Sequence, residues 1–206
     1  MLCVFLVRHA ETDWNADHRY QGYSDPPLNA NGLAQARRLA ARLATQKLDL
    51  ILSSDLLRAR QTAELVAAQR GIELRLDARL REMNFGILEG HTFDQALQRW
   101  PDMISRWLAD YNQPPDGAER IDEFNRRVLS AWEDVSLTST DLTVLIVAHG
   151  GPLRTILHSL LGLPEAKGAW LTLDHTALTE ITLGADQLII NRLNDTGFGI
   201  QAVEQG

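Results

Sequence analysis

The chain has 206 residues, 45% of them apolar and 23% charged, with a formal net charge of −7. That balance gives an ordinary globular protein, one well-cored domain spanning 1–206, and excludes a disordered chain. The acidic excess and the absence of any run of Lys or Arg argue against nucleic acid or an anionic membrane as partner.

The elements follow in chain order. Leu2–Val7 is a short apolar run stopped by Arg8, which predicts a buried strand. Within it Cys3, the one cysteine, reads as core and rules out an intramolecular disulfide. The first residues lack the basic region and cleavage site of a signal peptide. No run approaches the roughly 18–20 apolar residues of a membrane span. The expectation is a cytoplasmic protein.

Asp25-Pro26-Pro27 forces an extended or turning segment. Leu33, Ala36, Leu39, Ala40 and Leu43 then carry helical spacing over Leu33–Ala44, with Asn29 or Asn31 as cap. Leu48–Leu52 predicts a second strand, Leu56–Ala68 a helix stopped by Gly71, and Ile72–Leu76 a third strand. From about 90 to 118 the pattern breaks: Trp100, Pro101, Trp107 and Pro114-Pro115 punctuate short helical pieces, an excursion expected to form a partial lid. Trp100, Trp107 and Trp170 suit core and interface equally. Helix returns over Ile121–Val135. Leu142–Val147 is the clearest strand, Gly150-Gly151-Pro152 opens a helix to Leu161, and Leu178–Leu183 with Gln187–Leu193 predict a closing strand pair.

Strands alternating with helices predict an α/β/α sandwich, a mainly parallel sheet covered on both faces. Residues just beyond parallel strands emerge at one sheet edge, where open α/β sheets bind ligands. Arg8-His9, the Ser53–Arg58 segment and His149 therefore converge, although about 140 positions separate the first from the last.

His9 follows Arg8 at a strand end. A neutral imidazole is a nucleophile near neutral pH, and nearby guanidinium groups lower its pKa and hold the equatorial oxygens of a phosphoryl group. Arg58 sits close to the start of a helix at the same edge and can turn its fork on a phosphate. His149 precedes Gly150-Gly151-Pro152, where small residues allow close approach and free N–H groups favour an anion. Glu82, in Leu80-Arg81-Glu82-Met83-Asn84-Phe85-Gly86, is either an exposed acid paired with Arg79 or Arg81, or the carboxyl that protonates a leaving alkoxide. His18, His91, His158 and His175 have no comparable context and read as structural.

Other chemistries lack their residues. The chain has no G-x-x-x-x-G-K-S/T, no G-x-S-x-G, no H-E-x-x-H and no cysteine pair for zinc. Gly197-Phe198-Gly199 is an isolated glycine pair without a strand–turn–helix context.

Four ordered blocks resemble the histidine phosphatase superfamily, also called the phosphoglycerate-mutase-like family. They are Leu6-Val7-Arg8-His9-Ala10-Glu11-Thr12 continued by Asn15, Tyr20–Asp25 and Leu28–Gly32; Ser53–Ala59 with Gln61-Thr62-Ala63; Leu80-Arg81-Glu82 with Phe85-Gly86 and Glu89-Gly90; and Val147–Gly151. The resemblance implies His9 as phosphohistidine nucleophile and Arg8, Arg58 and His149 as the phosphate pocket. It implies Glu82 as proton donor, with Asn15, Gln21, Gly22 and Gly150 as further lining residues. It implies a small phosphomonoester as substrate and neither metal nor cofactor.

Mutases of that family return the phosphoryl group to substrate, whereas phosphatases pass it to water. The segment from Glu82 to His149 is shorter than in the cofactor-dependent mutases, Gln21 stands where those usually carry Ser, and Arg126-Arg127 lie too late to match their basic pair. Glu82 with Phe85-Gly86 and Glu89-Gly90 resembles the α-ribazole-phosphatase and broad-specificity branches, although Ile87-Leu88 departs from them. A phosphatase is the expectation. A cofactor-dependent phosphoglycerate mutase and a non-catalytic phosphate-binding protein on the same fold stay as alternatives.

Overall fold

The computed structural model describes residues 1–137, 141–163, 171–184 and 187–197. Trp170, Phe198 and Gly199 lie outside them.

Six strands form one sheet: β1 (Leu2–Arg8), β2 (Leu50–Ser53), β3 (Leu74–Leu76), β4 (Thr143–Ala148), β5 (Leu178–Leu183) and β6 (Leu188–Asp195). Their order is β3-β2-β4-β1-β5-β6. The pairs β1·β4, β2·β4 and β2·β3 are parallel, while β5 runs antiparallel to both β1 and β6. All six residues of β4 are buried, as a strand covered on both faces requires.

Side chains alternate between two cores. Leu2, Val4 and Leu6 of β1 join Val144, Ile146 and Ala148 of β4 beneath α6 (Ile121–Ser136) and α7 (Gly150–Leu161). Phe5, Val7, Leu145 and Val147 meet α2 (Ala30–Leu43) and α3 (Leu57–Arg70) on the opposite face. Each fully buried Leu, Ile or Val contributes roughly 1.5–3 kcal/mol. Truncating Ile146, which is fully buried, to Ala should cost about 2–5 kcal/mol.

Local signals account for the helix ends. Asn29, not Asn31, caps α2 by accepting from the Gly32 N–H, and Gly71 ends α3 in the left-handed region at φ 63°. The short α1 (Asp13–Ala16), which the sequence reading missed, is held by a capping box between Thr12 and Asn15. The excursion contains α4 (Phe93–Arg99) and α5 (Pro101–Ala109), the second opened by Pro at its first position. These two helices bury Leu88, Ala96, Ile104 and Trp107 as a separate small core that also takes in Tyr20 and Phe85. Trp107 is thus core. Among the described residues no helix is long and apolar enough to cross a membrane.

Candidate active site

Strand register sets the site. Arg8 pairs with Ala148 and Ser53 with Val147, so β1, β2 and β4 end together. The chain leaving each strand stays hooked to β4 or its neighbour: His9 N–H donates to the Ala148 carbonyl at 2.8 Å and Ser54 N–H to that of Val147 at 3.0 Å. Because β5 is antiparallel to β1, its entrance lies at this same edge.

His9 is 3% exposed, and its ring centroid lies 5.0 Å from that of His149 and 5.3 Å from that of His175. Its Nδ1 is 2.7 Å from the Ala10 carbonyl. A carbonyl only accepts, so Nδ1 carries the proton and Nε2 keeps the lone pair. Burial, then electrostatic interaction with His149, Arg58 and Arg8, holds the His9 pKa well below its ordinary value. The ring is neutral at physiological pH.

His149 is completely buried. Its Nε2 lies 2.9 Å from Ser54 Oγ, which also accepts from the Leu56 N–H at 3.3 Å. With the Ser54 hydroxyl donating to Nε2, the ring proton sits on Nδ1, a buried atom with no acceptor among the described residues. Burial, followed by the charges of Arg58 and Arg8, holds this pKa low too.

Arg58 occupies the second position of α3. It is 1% exposed. Its Nη1 and Nη2 donate to the carbonyls of Ser24 and Gly22 at 3.0 and 2.9 Å, and among the described residues Nε has no partner. Burial lowers its pKa to about 10, against the raising pull of Glu82, so it stays charged. Glu89 holds the carbonyl-bearing loop in place: its oxygens accept from the N–H groups of Tyr23, Ser24 and Phe85 and from the Ser24 hydroxyl. Gly22, at φ 52°, must be glycine, because an added Cβ would lie 2.0 Å from Glu89 Oε1. Arg8 donates from Nη1 to the Leu173 carbonyl at 2.9 Å, and its Nε has no partner among the described residues.

Glu82 is not the exposed partner of its neighbours. Arg79 is paired with Asp77 and Asp134, and Arg81 with Asp55. The Glu82 carboxylate instead accepts from its own loop, Met83 N–H at 2.9 Å, and from Gly151 N–H at the start of α7, 3.1 Å away. It lies close enough to Arg8 and Arg58 to stabilise the charge of both. The five side chains Arg8, His9, Arg58, Glu82 and His149 thus meet at one sheet edge.

The remaining predicted residues border them. Asn15 Oδ1 and Gln21 Oε1 both lie within hydrogen-bond reach of the Thr12 hydroxyl, at 3.0 and 2.9 Å. That leaves their amide nitrogens as the donors either could offer a ligand. Gly150 is buried at the first position of α7.

Sequence reasoning missed His175. It lies in the approach to β5, and its Nδ1–H donates to the His9 carbonyl at 2.8 Å. Burial and then Arg8 bring its pKa down to about 4. Among the described residues no group of three His, Cys, Asp or Glu side chains could hold a metal ion. Two guanidinium groups, two neutral imidazoles and a helix N-terminus make a pocket suited to a phosphoryl dianion.

The model of the histidine phosphatase superfamily (branch 1) matches residues 4–196. The probable phosphoglycerate mutase GpmB of Serratia proteamaculans (strain 568) is 38% identical over 184 residues, which cover 88% of this chain and 85% of that protein. The structure of Bacillus stearothermophilus YhfR superposes with a TM-score of 0.84 at 32% identity, over 95% of this chain and 98% of its own. That of a putative alpha-ribazole-5'-P phosphatase from Escherichia coli str. K-12 substr. MG1655 gives a TM-score of 0.87 at 30% identity, over 95% and 98%. Matched in this way over nearly its whole length, the chain belongs to the histidine phosphatase superfamily.

Proposed function

We propose that the chain hydrolyses small phosphomonoesters through a phosphohistidine on His9. His9 Nε2 attacks phosphorus in line; the P–N bond forms as the P–O bond to the alcohol breaks. Protonated Glu82 gives its proton to the departing alkoxide. Water then attacks the phosphohistidine, the P–N bond breaks, and the Glu82 carboxylate takes the water's proton. Arg8, Arg58 and the Nδ1–H of His149 balance the charge on the equatorial oxygens throughout, so the reading needs neither metal nor cofactor.

The observation that carries the proposal is a division of labour among the converging groups. His9 has one committed nitrogen and one open lone pair, and Glu82 is held beside the two arginines by backbone N–H groups rather than by an ion pair of its own. Segment 90–118 packs on Tyr20 and Phe85, beside the Gln21-Gly22 loop, which suits a partial lid on the leaving-group side. The same reading places the activity in the cytoplasm, where a lone cysteine stays reduced.

One observation favours the mutase reading: the 38%-identical relative is named a probable phosphoglycerate mutase. Against it, Arg126 is exposed and bound within its own helix to Asp122, and Arg127 is committed to backbone carbonyls, so neither replaces the basic pair.

Hydrolysis of p-nitrophenyl phosphate should survive EDTA and vanish in His9→Ala. Loss of activity on chelation would remove the metal-free mechanism. Conversion of 3- to 2-phosphoglycerate, stimulated by 2,3-bisphosphoglycerate and faster than hydrolysis, would replace phosphatase by mutase.

A further inference from the structure

The loop that carries Glu82 has little structure of its own. Between the 3-10 turn at Ala78–Leu80 and the next at Gly86–Leu88 it is neither helix nor strand. A carboxyl on such a loop would sample many positions, yet a proton donor must sit within hydrogen-bond reach of one departing oxygen.

Arg127, on α6, removes that freedom. Its Nη1 donates to the carbonyls of Arg79 at 2.7 Å and Arg81 at 2.8 Å, and its Nη2 to that of Glu82 at 3.0 Å. The two remaining N–H groups, on Nε and Nη2, go to the Glu119 oxygens at 2.6 and 2.8 Å. A guanidinium has five N–H donors, and all five are used. The fork packs 4.8 Å from the Phe124 ring centre, and its side chain is only 17% exposed. Glu119 closes the clasp from its own side: its backbone N–H donates to the Asn84 carbonyl at 2.9 Å, and its carboxylate accepts the Asn84 N–H at 3.3 Å. Three carbonyls, that of Arg79 in the preceding turn and those of Arg81 and Glu82 in the loop, are pinned to a helix whose other face is buried in the core.

We propose that Arg127 is a positioning residue for Glu82: its fork fixes the backbone from which the carboxyl reaches the leaving oxygen, and it touches no substrate. The proposal rests on the reading of Glu82 as the general acid. Lysine keeps the charge but offers one compact ammonium without the planar fork, so it cannot serve three carbonyls and a carboxylate together.

The test compares kcat for phosphoserine and glycerol 2-phosphate, whose alkoxides need a proton, with kcat for p-nitrophenyl phosphate, whose leaving group scarcely does. Wild type, Glu82→Gln, Arg127→Lys and Glu119→Gln are measured, each with a thermal melt. Arg127→Lys should lower the alkyl-to-aryl ratio by about tenfold or more, in the same direction as Glu82→Gln. Glu119→Gln should lower it less, and it carries the test if Arg127→Lys does not fold. An equal loss on both leaving-group classes, or no loss, overturns the positioning role. A Glu82→Gln enzyme with an unaltered ratio overturns the general-acid reading itself, a separate and distinguishable result.

Discussion

The Nδ1–H of His9 donates to the carbonyl of the very next residue, Ala10, at 2.7 Å. Backbone anchors tie down the rest of the residue: its N–H reaches Ala148 and its carbonyl accepts from His175. The ring then has a single reactive atom, Nε2. The phosphoenzyme, trapped at alkaline pH after rapid mixing with substrate, should therefore carry its phosphoryl group on Nε2 alone. Phosphorus–proton correlation NMR separates the two ring isomers. A signal from Nδ1 phosphorylation would mean that the Ala10 bond is not kept during turnover.

The same logic applies to His149: a Ser54 hydroxyl that donates to Nε2 puts the ring proton on Nδ1. Without that hydroxyl, nothing keeps the proton on Nδ1, and the ring loses its preference for presenting a donor. Ser54→Ala should lower kcat by about fivefold, the order expected for one hydrogen bond of about 1 kcal/mol, while Ser54→Thr recovers most of it. Equal activity in all three enzymes would show that the tautomer is set elsewhere.

Much of this was legible in the sequence because strand ends in a parallel sheet converge by construction. Arg8-His9 and His149 needed only the two apolar runs before them to be read as strands. Arg58 needed one more assumption, that its helix starts at the edge, and the structure puts it second in that helix. Glu82 was legible only as a choice between two roles, and Asp77, Asp134 and Asp55 remove the bland one by taking the neighbouring arginines. His175 read as structural, since its contacts to Arg8 and His9 span more than 160 positions and Asp174-His175-Thr176 has only a turn's local character. A signal did exist. A closing strand antiparallel to β1 must begin where β1 ends, so the residues before Leu178 were bound to face His9. The four-residue α1 is too short for periodicity to register, though its Thr12–Asn15 pair is a readable cap.

Gly151 tests the placement of Glu82 from the opposite side. A Cβ there would lie 2.1 Å from Glu82 Oε1 and 3.0 Å from the Phe124 ring. Either the carboxyl or α7 must move, and the carboxyl is the softer of the two. Gly151→Ala should fold with a melting temperature within a few degrees of wild type and lose activity on alkyl phosphates by about tenfold or more. Unimpaired turnover of phosphoserine would show that Glu82 can leave its Gly151 contact without harm.

His175 gives the site a pH signature in stability. Its imidazole titrates at about 4 in the folded protein, against an ordinary 6.5, because burial and Arg8 oppose its charge. Below pH 6.5 the unfolded chain takes up a proton that the folded chain refuses, so the unfolded state binds more protons and stability falls as pH falls. From pH 7.5 to pH 5 the loss from this one ring is about 2 kcal/mol, less whatever the solvent reaching the ring relieves. His9 and His149, also held below their ordinary values, add to it with the same sign. Asparagine places its amide N–H close to where Nδ1–H lies and does not titrate, so His175→Asn should keep the bond to the His9 carbonyl and most of the activity. Urea unfolding at pH 7.5 and pH 5 should then show a smaller pH-dependent drop in the variant than in wild type. His175→Ala should share the flatter pH profile but lose kcat, since the His9 carbonyl loses its donor. Identical pH dependence in wild type and His175→Asn would show that this ring carries no such coupling to folding.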